Sequence, residues 1–456
     1  MSDQVAEVRA TYLTEATQDT VMVGYKKTEV GVIPENWNIS TIEEAIAKKF
    51  ILDQMDGNHG ELYPKSHEFS SYGIPYVGAT DFYSGHIDYK NCKYLPERRA
   101  KKFKKGVAIN GDVLFAHNAT VGPVAIVNSN FEFIIISTTA TYYRLDNSKI
   151  NNLYLASFFD SAAFIKQFSA VMSQSTRNQV PILSQRKFYL VLPPIEEQTA
   201  IANALSDVDT LINELEKLVA KKQAIKTATM QQLLTGRTRL PEFALHEDGT
   251  PKGYKQSELG EIPEDWEVEE FSNLASPSSS RVNPKLYGGG DFCIELEHIN
   301  QGNGYLSGFT TTNAGSSLKN IFEEGDVLFG KLRAYLKKYW FSDRAGVCST
   351  EIWVLKAKVQ KSLSNFIFYL VQTEKFIEAA SEAYGTHMPR ADWKVISLLP
   401  IATPRKKEQT AIAKILSDMD AEIQSLEQRL GKTRQIKQGM MQELLTGKTR
   451  LVAPAA

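Results

Sequence analysis

Apolar residues recur at a 4-3-4-3-4 spacing over Ile201, Leu205, Val208, Ile212, Leu215 and Val219. They lie within Glu196–Thr235, which contains neither glycine nor proline. That spacing lines one stripe of a helix and predicts a coiled-coil seam. The same spacing returns at Ile412, Leu416, Met419, Ile423, Leu426 and Leu430. Both seams turn polar at matching places, Lys222 and Lys226 in one and Thr433 and Lys437 in the other, and resume at Leu233 and Leu444. Gly431 and Gly439 predict a kink or a less regular stretch in the second helix. Two helices of this length, roughly 60 Å each, most simply pack on each other. The alternative is that each packs on its own domain.

The helices belong to a longer duplication. Glu197-Gln198-Thr199-Ala200-Ile201-Ala202 returns as Glu408-Gln409-Thr410-Ala411-Ile412-Ala413, and Met230–Gly236 returns as Met441–Gly447, both 211 positions on. No residue was gained or lost between these blocks, as a helix held in register requires. Upstream, Tyr25–Trp37 matches Tyr254–Trp266, with Trp37 and Trp266 as expected core anchors. Inside each copy sits Gly111-Asp112-Val113-Leu114-Phe115 or Gly325-Asp326-Val327-Leu328-Phe329, read as a turn into a buried strand. The remaining interiors, roughly 38–192 and 267–399, are poorly matched.

The expected fold is therefore α+β. Two mixed α/β domains are joined by two long antiparallel helices forming a coiled coil, with a pseudo-two-fold internal repeat. A parallel pair would need a connector running the full helix length, which residues 237–253 could only just supply. The expected boundaries are a tail at 1–24, a first variable domain at 25–195, a first helical region at 196–236, a connector at 237–258, a second variable domain at 259–400 and a second helical region at 401–456. Phe133–Ile136 and Val347–Leu355 read as β-rich, and Asn151–Phe168 and Ser364–Ala380 as helical.

Composition adds limits. Net charge is −1 and the three cysteines, Cys92, Cys293 and Cys348, are scattered, which favours a reducing compartment, the cytoplasm, over a disulfide framework. No apolar run suits a signal peptide or a membrane span. The chain lacks a phosphate-binding Gly-x-x-x-x-Gly-Lys loop, a dinucleotide fingerprint, an amino-methyltransferase Asn/Asp-Pro-Pro-aromatic cluster, paired metal-ligand histidines and a nucleophile elbow. Catalysis and a bound metal are accordingly not expected.

Charge is unevenly placed. Arg98-Arg99-Ala100-Lys101-Lys102-Phe103-Lys104-Lys105 holds six cations in eight residues. In the second interior, Lys331, Arg333 and Tyr335 would share one strand face. Each interior also carries a late polar loop, with Gln174, Thr176 and Arg177 in one and Thr386, His387 and Arg390 in the other. Lys and Arg neutralise phosphates, and Arg, Asn and Gln pair with base edges, so such clusters suit nucleic acid. A solvated basic face is the alternative. Glu295, Glu297 and His298 could read a cytosine amino group or be satisfied surface polars.

Taken together, the Trp frame, Gly-Asp-Val-Leu-Phe, Pro-Pro-Ile-Glu-Glu-Gln-Thr-Ala-Ile and Leu-Leu-Thr-Gly, in two copies, resemble the specificity subunits of type I restriction–modification systems over residues 25–451. The resemblance implies two target recognition domains on double-stranded DNA, each reading half of a split sequence, with the paired helices as a ruler. It implies no catalysis and no cofactor on this chain. Adenine methylation with S-adenosylmethionine would belong to two modification subunits, and ATP- and Mg-dependent translocation and cleavage to restriction subunits. It assigns DNA contact to His117, Asn118 and Thr120, to Lys331 and Arg333, and to the late loops; Arg98, Arg99, Lys101 and Lys102 of the basic run, and Tyr335, are DNA-binding candidates on charge and aromatic character alone. A methyltransferase with degenerate motifs, a coiled-coil scaffold and a recognition subunit of another multi-subunit restriction class remain open alternatives.

Overall fold

The computed structural model describes residues 22–58, 60–83, 85–174, 177–284, 292–312, 317–382 and 389–452. The chain forms two compact units: residues to Glu214 together with those from Arg429 onward, and Leu215–Gln428. Each unit thus contains part of both long helices.

In the first unit, a hairpin of Tyr25–Thr28 and Gly31–Pro34 leads to the buried Trp37. Asn38–Thr41 then pairs with Tyr189–Leu192, tying the two ends of the variable region together. Between them lie two four-stranded sheets. The first has the order Thr120–Ile126, Val113–Asn118, Ala140–Leu145, Ile51–Asp56, all antiparallel. The second has the order Lys93–Leu95, Ile74–Val77, Ile134–Ile136, Val107–Ala108, with one parallel pair. Phe158, Phe159, Phe164 and Phe168 pack with Phe115 and Tyr143 of the first sheet. The expected helix over Asn151–Phe168 is in fact two, Asn152–Phe159 and Ala162–Met172. Ser161 breaks it, because its side chain accepts from Phe164 N and starts a new helix.

The second unit repeats this plan. Its sheets have the orders Ala275–Pro277, Ile352–Ala357, Val327–Gly330, Tyr339–Phe341, and Arg281–Val282, Lys319–Phe322, Gly346–Ser349, Cys293–Ile294. Again one pair of the second sheet is parallel. The run Val347–Leu355 is two strands, and Ser364–Ala380 is two helices, Ser364–Leu370 and Glu374–Ser381.

The Gly-Asp pair has one job in both copies. Gly111 and Gly325 take φ of 89° and 85°, which glycine adopts without steric cost. Asp112 accepts from Ile109 N and binds Arg144, while Asp326 accepts from Glu323 N and binds Lys356. Each carboxylate closes the turn that launches the central strand.

The long helices are Ile195–Leu234 and Lys406–Leu444, the second running unbroken through Gly431 and Gly439. Of the seam residues, Ile201, Leu205, Ile212, Leu215, Val219, Ile412, Leu416, Ile423 and Leu430 are buried, and Val208, Met419 and Leu426 are half-buried. In the first unit, Ile201 and Leu205 share a core with Leu444 and Leu445. In the second, Leu233 and Leu234 share one with Ile412 and Leu416. Among the polar interruptions, Lys437 pairs with Asp209 in one unit and Lys226 with Asp420 in the other, at 2.7 and 2.5 Å. These pairs are repeat equivalents, 211 positions apart on both sides.

The repeated Glu-Gln explains itself in three dimensions. Glu197 accepts from the Trp37 indole at 2.8 Å and binds Arg450 through two nitrogens at 2.5 and 2.7 Å. Glu408 does the same with Trp266 at 3.0 Å and Arg239 at 2.8 Å twice. Arg239 also reaches Asp265. The neighbouring glutamines are fully engaged by backbone: Gln198 by Asn151 N and two carbonyls, and Gln409 by Leu363 N and two carbonyls. Gly447 and Gly236 close the assembly. A Cβ on either would lie about 2.4–2.5 Å from Pro34 or Pro263.

All three cysteines are buried free thiols, and burial pushes the Cys293 thiol up to about 11. No helix among the described residues is long and apolar enough to cross a membrane.

Candidate nucleic-acid interface

In each unit the central strand of the first sheet ends in a kink, and the late polar loop is bonded to that kink. In the first unit, Ala119 takes φ of 64°. Its N–H donates to Asn178 O at 3.0 Å, Asn118 bridges Gln179, and Val180 N donates to His117 O at 2.8 Å. In the second, Arg333 takes φ of 52°. Its N–H donates to Pro389 O at 2.8 Å, Leu332 bridges Arg390, and Ala391 N donates to Lys331 O at 2.8 Å. The positions correspond: 119 and 333 differ by the 214 of the Gly-Asp block, and 178 and 389 by the 211 of the helix block. A left-handed backbone at a non-glycine residue costs roughly 1–2 kcal/mol, so the same strain at both places marks a shape the fold maintains.

The junctions present different side chains. The first exposes Thr120, Gln174, Arg177 and Asn178, with Asn118 half-buried. The second exposes Arg333 and Tyr335, with Lys331 half-buried. Arg390 is exposed too, but Glu351 holds its guanidinium through two bonds at 2.9 and 3.2 Å. Thr176, Thr386 and His387 lie outside the described residues.

Several sequence expectations need correction. His117 does not face outward: it is 2% exposed, and its Nδ1 lies 2.9 Å from Thr141 Oγ1. It sits on the second-row strand of a sheet covered on both faces. Thr141 in turn accepts from Gln185, which accepts from Tyr143 and donates to Val180 O. His117 therefore helps to hold the late loop from behind. Lys331, Arg333 and Tyr335 do not share a strand face, because the strand ends at Gly330 and Ala334–Leu336 forms a 3-10 turn. The bonds to Pro389 and Ala391 impose this, and they come from residues far away in sequence. Glu295 is bound to Lys319, and His298 Nδ1 accepts from Glu295 N. These two are structural, while Glu297 is exposed.

The basic run is mixed in role. Arg99 donates to Glu68 at 2.5 Å and Leu62 O at 2.9 Å and lies over Phe103. That hydrogen bond draws the Glu68 carboxyl down to about 2. Lys101 pairs with Glu97. Arg98 and Lys102 are exposed, as are Lys104 and Lys105. No group of histidine, cysteine, aspartate or glutamate among the described residues could hold a metal.

Two stretches, residues 34–227 and 263–438, match the family model of the type I restriction modification DNA specificity domain, and each stretch contains one junction. The chain belongs to that family. This specificity chain is 28% identical over 450 residues to the putative type I restriction enzyme MjaX specificity subunit of Methanocaldococcus jannaschii, covering 94% of this chain and 97% of that one. It is 27% identical over 274 residues to the EcoDI specificity subunit of Escherichia coli, covering 56% of this chain and 60% of that one. Among solved structures, the type I restriction–modification S subunit from M. genitalium matches with a TM-score of 0.53 and 13% identity, over 90% of this chain and 96% of that one. A chain from a study of complex assembly and conformational transition of the type I system matches at 0.51 and 16%, over 91% and 99%. The likeness shows a shared specificity-subunit fold: two repeats of mixed helices and sheets with long helices.

Proposed function

We propose that this type I specificity subunit reads a bipartite sequence in double-stranded DNA, one half through each junction. The carrying observation is that the kink and its late loop are built identically in two otherwise divergent units, while their exposed side chains differ. A kept scaffold with changed side chains is what two readers of different sequences require. In the first unit, Asn118, Thr120, Gln174, Arg177 and Asn178 are the candidates for DNA contact. In the second they are Lys331, Arg333, Tyr335 and Arg390, the last only after releasing Glu351. Asn and Gln suit adenine edges and Arg suits guanine.

The chain supplies recognition and no catalysis. It directs two modification subunits, which bring S-adenosylmethionine, and restriction subunits, which bring ATP and Mg, in the cytoplasm. The two long helices act as an antiparallel coiled-coil spacer. This reading is supported by the start of one helix sharing a core with the end of the other in each unit, and by the repeated lysine–aspartate pairs.

The test is an insertion of four residues into Ile195–Leu234 near Lys217, with the methylated motif read by sequencing genomic DNA from cells that also make the modification subunit. Four residues add ~6 Å of helix, close to two base-pair steps of ~3.4 Å. The unspecified spacer should lengthen by about two base pairs with both half-sequences intact. An unchanged spacer would refute the ruler, and a changed half-sequence would refute the separation of reading from spacing.

A further inference from the structure

The first unit carries a basic ridge that the second lacks. It runs from the short helix Glu97–Ala100 to Gly106, on the second sheet. Ala100 and Phe103 are buried in a small core with Tyr76, Leu95 and Ile135, which roots the ridge. Arg99 is spent on Glu68 and Leu62 O, and Lys101 on Glu97. The side chains of Arg98, Lys102, Lys104 and Lys105 are exposed and, among the described residues, make no ion pair, hydrogen bond or ring contact. The carboxylates of Glu68 and Glu97 are thus already used, and Glu132 adds a further negative charge near Lys101. Four cations held apart without partners repel one another, so the fold bears a cost that a polyanion would relieve.

The ridge lies at the same end of the unit as the junction. A Cβ on Gly106 would meet Gly57 Cα at 3.0 Å. Gly57 N donates to Ala140 O, and Ala140 pairs with Ala116, one residue before His117. A duplex seated on Asn118 and Thr120 would therefore pass the ridge. The corresponding stretch of the second unit, Thr311–Leu318, contains no charged residue, and Lys319 beyond it is buried against Glu295.

We propose that Arg98, Lys102, Lys104 and Lys105 form a sequence-independent anchor for the phosphates flanking the half-sequence read by the first unit. The subunit then grips DNA asymmetrically, with extra backbone contact on one flank only. Lysine ammonium groups suit point-charge contact with phosphate, and the Arg98 guanidinium can fork onto two phosphate oxygens. This inference rests on the DNA-reading role proposed above.

The test uses the full chain in complex with its modification subunits and the variant R98Q/K102Q/K104Q/K105Q, all at exposed sites. Binding to a duplex with the methylated motif, and to an unrelated duplex, is measured across salt concentrations. Each lost phosphate contact should lower the slope of log K against log salt by about 0.9, so the full set by up to about 3.6. Affinity should fall on both duplexes, the methylated motif should stay the same, and a hydroxyl-radical footprint should lose protection on one flank. An unaltered slope would overturn the proposal in favour of a solvated face. A changed motif would overturn it in favour of base reading. An unaltered slope with weaker modification-subunit binding would make the ridge a protein interface. Absence of any sequence preference in the unmutated complex would instead refute the DNA-reading role itself.

Discussion

Replacing Arg450 by methionine isolates the buried ion pair that fastens the end of the second long helix to the start of the first. Methionine keeps a stem of similar reach and removes the guanidinium, which binds Glu197 and lies over the Trp37 ring. Glu197, whose side chain is 3% exposed in the intact pair, would then hold its negative charge with a single donor, the Trp37 indole at 2.8 Å. Breaking a buried pair from one side costs about 3–5 kcal/mol. The Arg450 side chain is 20% exposed, so water reaches one side and the lower end applies, about 3 kcal/mol. Local opening should accelerate about 150-fold, which hydrogen exchange reads on the amides of 197–205 and 441–447. Amides of 408–416 in the second unit should be unaffected. Adding Glu197→Gln removes the stranded charge while keeping an acceptor for Trp37. The double variant should therefore be more stable than Arg450→Met alone, with a coupling of at least about 1.5 kcal/mol. Acceleration under threefold, or no coupling, would reduce the pair to an ordinary surface contact worth at most about 1 kcal/mol.

Two further outcomes follow from the first unit. Thr141→Val removes the hydroxyl that links His117 to Gln185 and should destabilise the unit by about 1–3 kcal/mol; a loss confined to DNA binding, with stability unchanged in urea, would contradict the supporting role given to His117. Glu68 is held down from the usual 4.5 to about 2 by Arg99, so this pair stabilises the ridge fully above about pH 4.5 and loses its effect as pH falls towards 2. Exchange protection at 99–103, corrected for intrinsic rates, should decline across that window and stay flat above it; a decline centred above pH 5 would rule the pair out as the cause.

The helices, the Trp frame and the two-copy plan are legible in the sequence because each depends on local periodicity or on exact repetition. What escapes a linear reading is decided by distant partners. His117 follows four apolar residues, and only the strands on either side, with the helices above, make it a buried support. Lys331–Tyr335 alternates like a strand, yet Pro389 and Ala391 bend it. Thr238-Arg239-Leu240 returns as Thr449-Arg450-Leu451 at the same 211 interval, so the arginines were visible as a repeat. Their partners were not, since a cation past a helix end also suits a solvated C-terminus. Within the basic run, one composition hides two roles: Arg99 is structural because Glu68 and Leu62 lie against it, a fact of packing across 31 and 37 residues.

Tyr25 donates to Gly447 O, and Glu197 waits for Arg450. The first unit is thus stitched from the opening strand and from residues made more than 200 positions later, whereas Leu215–Gln428 is one uninterrupted stretch. On the ribosome the order of completion is inverted relative to the order of synthesis. The later-made unit has all its parts once residue 428 has emerged, while the earlier-made one must stand with an open seam until residue 450 arrives to close it.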